Sequence, residues 1–139
     1  MPQSILNPYA PPAYSGLREV SPQFKFETFV YSYQVVLTAL QVLTNQQKTI
    51  EPYADFVLQA ISIPSSTGTF EFRYSDSRLY WTSDARLPST LYTGQDPYPV
   101  SPSLVVPAAG RIGIEIADTS AAGNTIVILF HGANRMRIS

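Results

Sequence analysis

The chain contains no cysteine, which removes disulfide staples, thiolate nucleophiles and thiolate metal ligands together and leaves the redox compartment open. Charge is the second scarcity. Charged residues make up 14% of the 139 positions, where a typical soluble domain carries about 25%. Nine basic side chains nearly cancel ten acidic ones, and no run of Lys or Arg occurs. A nucleic-acid binder neutralises phosphates with clustered basic groups, so that class is excluded on charge. No stretch reaches the roughly 18 to 20 apolar residues of a membrane-spanning helix. The opening Met-Pro-Gln-Ser has neither a basic segment nor an apolar one, and the expectation is a protein made in a cytoplasm without lipid. A lone domain in water ordinarily wears more charge than this one, so part of its surface is expected to be covered by a partner.

What is present is β-forming sequence behind a proline-rich start. Pro2, Pro8, Pro11, Pro12 and Pro22 place five of the twelve prolines in the first 22 residues. Each fixes its own φ and lacks an N–H, so this segment can neither extend a helix nor fill a sheet ladder. Its aromatic and aliphatic side chains set it apart from an inert tail. The reading is an extended arm over residues 1–22 followed by one domain over residues 23–139. Ile5, Leu6, Tyr9, Pro11, Pro12 and Tyr14 are its expected partner-binding anchors. Fully extended at about 3.4 Å per residue the arm spans up to ~75 Å, enough to reach a neighbouring subunit. Its prolines lower the entropy lost on docking.

From Phe24 onward the dominant signal is alternation of period two. Phe24 and Phe26 oppose Lys25 and Glu27. Phe70, Phe72 and Tyr74 oppose Glu71 and Arg73, and Ile112, Ile114 and Ile116 oppose Arg111 and Glu115. Two runs, residues 56–63 and 125–130, are apolar on both faces and are expected at the centre of a sheet or beneath a second one. Residues 33–43, YQVVLTALQVL, read as one strand because of their β-branched content. Turn chemistry falls at residues 44–47, 64–68, 93–99, 107–110 and 120–124. The spacing gives about eight or nine strands with no convincing helix. The expected fold is all-β, an antiparallel β-sandwich of jelly-roll type. An immunoglobulin-like topology is disfavoured because its paired cysteines are missing.

Catalytic constellations are sparse. Any Ser-His-Asp arrangement must use His131, the only histidine, which is expected at a strand end bonded to backbone. Glu71 and Glu115 have the type needed for glycoside hydrolysis, but Arg73 and Arg111 share their faces, and cross-strand ion pairs are the competing reading. Asp55, Asp76, Asp84, Asp96 and Asp118 lack the dense spacing of a calcium loop and read as caps of turn backbone. No cofactor is expected. Residues 73–99 form the aromatic, polar segment closest to a recognition surface. Tyr80, Trp81, Tyr92 and Tyr98 are its expected contact residues, with end-closing rings as the alternative.

The run SLVVPAAGRIGIEIADTSAAGNTIVILFHGANRMRIS, residues 103–139, resembles the closing strands of small virion structural proteins of tailed bacteriophages. FEFRYSDSRLYW, residues 70–81, is similar to an earlier hairpin of the same proteins. Ala133, Asn134 and Arg135 depart from the basic-aromatic ending of that pattern. The resemblance implies a non-enzymatic β-sandwich that decorates or cements a capsid. The major capsid protein or other virion proteins would be its partners, with a homo-oligomeric state and a place in the virion after synthesis in the host cytoplasm. A tail or receptor-binding module that takes carbohydrate is the alternative.

Overall fold

The computed structural model describes residues 23–138. The expected arm over residues 1–22, with Ile5, Leu6, Tyr9, Pro11, Pro12 and Tyr14, lies outside the described residues, as does Ser139.

Eight strands are present: β1 (Phe24–Leu37), β2 (Val42–Thr49), β3 (Asp55–Ser66), β4 (Phe70–Ser75), β5 (Leu87–Pro88), β6 (Tyr98–Val106), β7 (Arg111–Asp118) and β8 (Asn124–Arg137), with a 3-10 turn at Ser89–Tyr92. They form two four-stranded sheets, ordered β1-β8-β3-β6 and β2-β7-β4-β5. Every pairing is antiparallel. Pairing first with last, second with seventh, third with sixth and fourth with fifth is what results when one long hairpin is rolled up. The successive pairs then alternate between two layers. That is the jelly-roll arrangement expected from the strand count.

Alternation decides which side chains fill the space between the layers. Phe56, Leu58 and Ile61 of β3 and Ile126, Ile128 and Phe130 of β8 are fully buried, and they meet Phe70, Phe72, Ile112, Ile114 and Ile116 of the facing sheet. Burying one such side chain contributes roughly 1.5–3 kcal/mol. The aromatic rings lock together within the core, Tyr31 edge-on to Phe56 at 4.8 Å and Phe72 tilted on Tyr92 at 5.0 Å between centroids.

Three local expectations are corrected. Residues 33–43 are not one strand, because Gln41 N–H donates to Thr38 O (3.1 Å) and turns the chain from one sheet into the other. Leu40 sits there at φ 57, and its N–H donates to Asp118 Oδ2 at 2.8 Å, which anchors the corner. Residues 44–47 are not a turn. They belong to β2, whose ladder with β7 is shifted by a bulge between Leu43 and Gln46. His131 is not at a strand end but within β8, opposite Val30 and Ala60.

Candidate functional site

The two outer faces of the sandwich differ in kind. On the β2-β7-β4-β5 sheet, Glu115 is paired with Arg73 and holds Arg86 Nη1 at 3.2 Å, while Arg86 Nε reaches Glu71 at 3.3 Å. The carboxylates proposed from sequence as a possible hydrolytic pair are thus held by two arginines. The ion pairs of this network involve Arg73 and Arg86 and not Arg111, whose backbone N–H and C=O bond Ser77 Oγ. Trp81 joins the sheet through a bridge with Ser75, and the Arg73 guanidinium stacks over its ring at 4.2 Å. This outer face is charged and partly covered by its own loop.

The outer face of β1-β8-β3-β6 is the opposite. Its cross-strand rows run Val105–Val57–Ala133–Thr28, then Ala60–His131–Val30, then Ser62–Leu129–Ser32, then Ser65–Val127–Gln34, ending at Thr125–Val36. No Asp, Glu, Lys or Arg stands in any of these rows. Charge enters only at one end, where Arg135 Nη2 bonds Asp55 Oδ2 at 2.9 Å. Val30, Val36 and Val105 are 43%, 71% and 41% exposed, and nothing among the described residues covers them. An antiparallel sheet with one solvated face normally alternates polar side chains outward. Here the outward polar side chains, Thr28, Ser32, Gln34, Ser62, Ser65, Thr125 and His131, include no carboxylate, ammonium or guanidinium group and alternate with Val30, Val36, Val57, Val127 and Leu129.

Ser62 and His131 meet on this face, with Oγ 2.7 Å from Nε2. The pair lies on a flat ladder whose neighbours in the same and adjacent rows are Ala60, Val30, Leu129 and Ser32. No carboxylate is in those rows to orient the imidazole, and the β3 ladder is interrupted by bulges on either side, between Leu58 and Ala60 and between Ser62 and Ser65.

The aromatic segment is split. Tyr80 is 63% exposed and lies against the Arg78 guanidinium at 4.5 Å. Tyr98 is 44% exposed. Tyr92, expected at the recognition surface, is instead a core residue at 4% exposure, because the 3-10 turn aims it between Phe72 and Tyr98. Burial pushes its phenol up to about 12, as it does that of Tyr33. Tyr74 is likewise buried. A cleft of about 630 Å³ opens between β6 and the segment after β4, lined by Tyr74, Thr82, Tyr98, Val100, Pro102 and Leu104. Two phenols are its only titratable groups.

Three of the five aspartates, Asp55, Asp76 and Asp118, cap backbone amides. Asp76 Oδ1 accepts the N–H groups of Arg78 (2.9 Å) and Tyr80 (3.1 Å), and its Oδ2 takes the Arg78 guanidinium. Burial alone would raise the Asp76 carboxyl, but these bonds hold it below its usual range. The Ser120 hydroxyl first, then the amides of Leu40 and Ser120, hold Asp118 well below the carboxylate range against the opposing effect of burial. The Arg135 side chain and the Ala108 amide lower Asp55. Among the described residues no group of three His, Cys, Asp or Glu side chains is placed to hold a metal ion, and no helix is long and apolar enough to cross a membrane.

The sequence missed the uncharged sheet face as a unit. Its signal was present in residues 125–130, whose outward Val127 and Leu129 are as apolar as the inward Ile126 and Ile128. Comparison with protein-family models, with curated proteins and with solved structures gives no match.

Proposed function

We propose that this chain is a non-enzymatic structural protein of a phage virion, a decoration or cement protein that binds the lattice of the major capsid protein. One observation carries the reading: a jelly roll with one outer sheet face whose central rows hold no charged side chain and whose Val30, Val36 and Val105 are uncovered among the described residues. Such a face is a contact surface, since leaving several valines in water gains nothing and covering them contributes roughly 25 cal/mol per Å². Exposed Tyr80 and Tyr98 add amphipathic rings at the rim. The arm residues Ile5, Leu6, Tyr9, Pro11, Pro12 and Tyr14 supply contacts to neighbouring subunits. A protein that binds only the assembled shell stabilises it by mass action.

The carbohydrate reading loses Tyr92 to the fold, while Trp81 stays half-buried at a cleft that it lines with Gln46, Leu79 and Arg111. Tyr92 is buried and the Trp81 ring is stacked by Arg73. The hydrolase reading has a Ser62–His131 contact without a carboxylate in its rows.

The test is made on particles purified from the virus whose genome encodes the chain. Mass spectrometry is expected to find the chain in fixed ratio to the major shell subunit, with density for a two-layer sandwich on the shell in a cryo-EM map. Absence of the chain from complete particles would contradict the proposal.

A further inference from the structure

The outer face of β2-β7-β4-β5 carries a cleft beside its ion-pair network. One cross-strand row runs Gln47–Gly113–Ser75–Trp81 across that face. Ile112 and Ile114 are core residues, so position 113 faces outward, and there it has no side chain. Over this glycine opens a space of about 300 Å³, walled by Leu79 and Trp81 on one side and by Thr44, Asn45 and Gln47 of β2 on the other, with Arg111 at one end. A glycine in a strand commonly marks such a place of close approach.

The walls are fixed before any ligand arrives. Asp76 Oδ1 accepts the N–H groups of Arg78 and Tyr80, Leu79 N–H donates to Asp76 O at 3.0 Å, and Thr82 N–H donates to Tyr74 O at 3.0 Å. Leu79 is thereby held at φ 63, which is uncommon for a residue other than glycine. The Arg73 guanidinium lies over the Trp81 ring at 4.2 Å and sets its plane. A site ordered in advance loses little entropy on binding. Its floor holds a spare polar group. Ser75 is fully buried, and its Oγ has no hydrogen-bond partner among the described residues. A Cβ on residue 113 would collide with that oxygen, so Ser75 Oγ lies directly beside the glycine of the cleft. Buried hydroxyls are ordinarily paired, and one left unpaired here points to a polar occupant.

The lining selects the chemistry. It holds no Asp or Glu, and it sets the amides of Asn45 and Gln47, the Thr44 hydroxyl and the Arg111 guanidinium around an indole. Planar amides and a guanidinium bond neighbouring hydroxyls, and an indole packs against an apolar C–H face. A sugar ring has both. A nucleotide would bring phosphates to a cleft with a single cation, and a volume of about 300 Å³ stands at the low end for ligand sites. We propose that this cleft binds one pyranose ring of a glycan, with Trp81 as the packing wall and Asn45, Gln47 and Arg111 as the hydrogen-bonding groups. The cleft lies on the sheet opposite the uncharged face, so it stays open when that face is covered, and the proposal does not rest on the virion reading.

Trp81 is the only tryptophan, so its fluorescence reports on this cleft alone. The full chain is titrated with glucose, galactose, mannose and N-acetylglucosamine, and with adenosine monophosphate for comparison. A saturable change in emission is expected with at least one sugar, in the roughly millimolar range of a single ring, and none with the nucleotide. Gln47→Ala and Arg111→Ala change exposed residues. Each is expected to keep the circular dichroism of the unaltered chain and to weaken the sugar about tenfold or more. Val30→Lys with Val36→Lys, on the other sheet, is expected to leave sugar binding unchanged. Three results would overturn the proposal: no saturable response to any of these sugars, an equal response to the nucleotide, or full binding by both alanine variants. No particle enters the experiment, so its failure leaves the virion reading standing, and the particle test can fail while the sugar still binds.

Discussion

Val57 and Val105 face each other across the β3–β6 ladder on the solvent side of the sandwich, where alternation of a half-buried sheet calls for polar side chains. The same row continues to Ala133 on β8. Their inward neighbours Phe56, Leu58 and Val106 are completely buried, so these strands are apolar in both directions. The opposite sheet shows what an ordinary outer face looks like in this protein, with Arg73, Glu115, Arg86 and Glu71 tied into one network. The asymmetry follows from sequence, and it concentrates the low overall charge on one side of the molecule.

Phe72 is the inner ring most widely engaged, touching Phe70, Tyr74 and Tyr92. Phe72→Ala is expected to lower stability by about 3–5 kcal/mol, the cost of lost transfer energy plus a cavity. Phe72→Leu is expected to cost less. Urea unfolding followed by circular dichroism checks both, and a change below about 1 kcal/mol for the alanine variant would show that the two layers do not pack as described.

Glu115 serves two arginines with its side chain only 13% exposed. Glu115→Gln is expected to cost about 1.5–3 kcal/mol, the range for hydrogen bonds to charged groups. In a double-mutant cycle with Arg73→Met the two losses are expected to fall short of additivity by about 0.5–3 kcal/mol, as for residues in contact. Simple addition would mean that the pair does not form in solution.

Asp118 ties the end of β7 to the corner at Leu40 through charge-accepting bonds. Its carboxyl is held below the ordinary value, so as pH falls the unfolded chain takes up the proton first. The stabilisation is therefore complete above roughly pH 4, the unfolded carboxylate value, and is lost as pH falls further. Asp118→Asn is expected to be less stable at neutral pH and to lose less on acidification. Asp55 and Asp76 shift in the same direction, so the acid dependence is blunted and not removed. Denaturation midpoints between about pH 5 and pH 2 test this; parallel curves for the two proteins would contradict it.

The fold class was readable because alternation and turn chemistry agreed over most of the chain. Residues 107–110 and 120–124 form turns where glycine, asparagine and proline announced them. The Thr38–Gln41 corner carries neither glycine nor proline. It is made by Gln41 Oε1, which accepts the Thr38 N–H, and by Asp118 from 78 residues away, and a partner so distant leaves no local trace. In β3 a bulge between Leu58 and Ala60 switches the phase, so Phe56, Leu58 and Ile61 all point inward. A run that read as apolar on both faces there owes part of that look to the switch. In β8 no such shift occurs, and Val127 and Leu129 do stand outward. Tyr92 looked like a surface ring because its neighbours are polar, yet one short turn aims it into the core. The meeting of Ser62 with His131 spans 69 residues and depends on strand order, which sequence did not supply.

The most direct test places charge on the uncharged face. The chain carrying Val30→Lys and Val36→Lys is compared with the unaltered chain for thermal unfolding and, as the proposed virion reading requires, for occupancy on phage particles. Both positions are exposed, so the unfolding temperature is expected to move by no more than a few degrees, as for surface substitutions. Occupancy is expected to fall at least tenfold. A variant that folds normally and still fills the particle to the level of the unaltered chain would contradict the account.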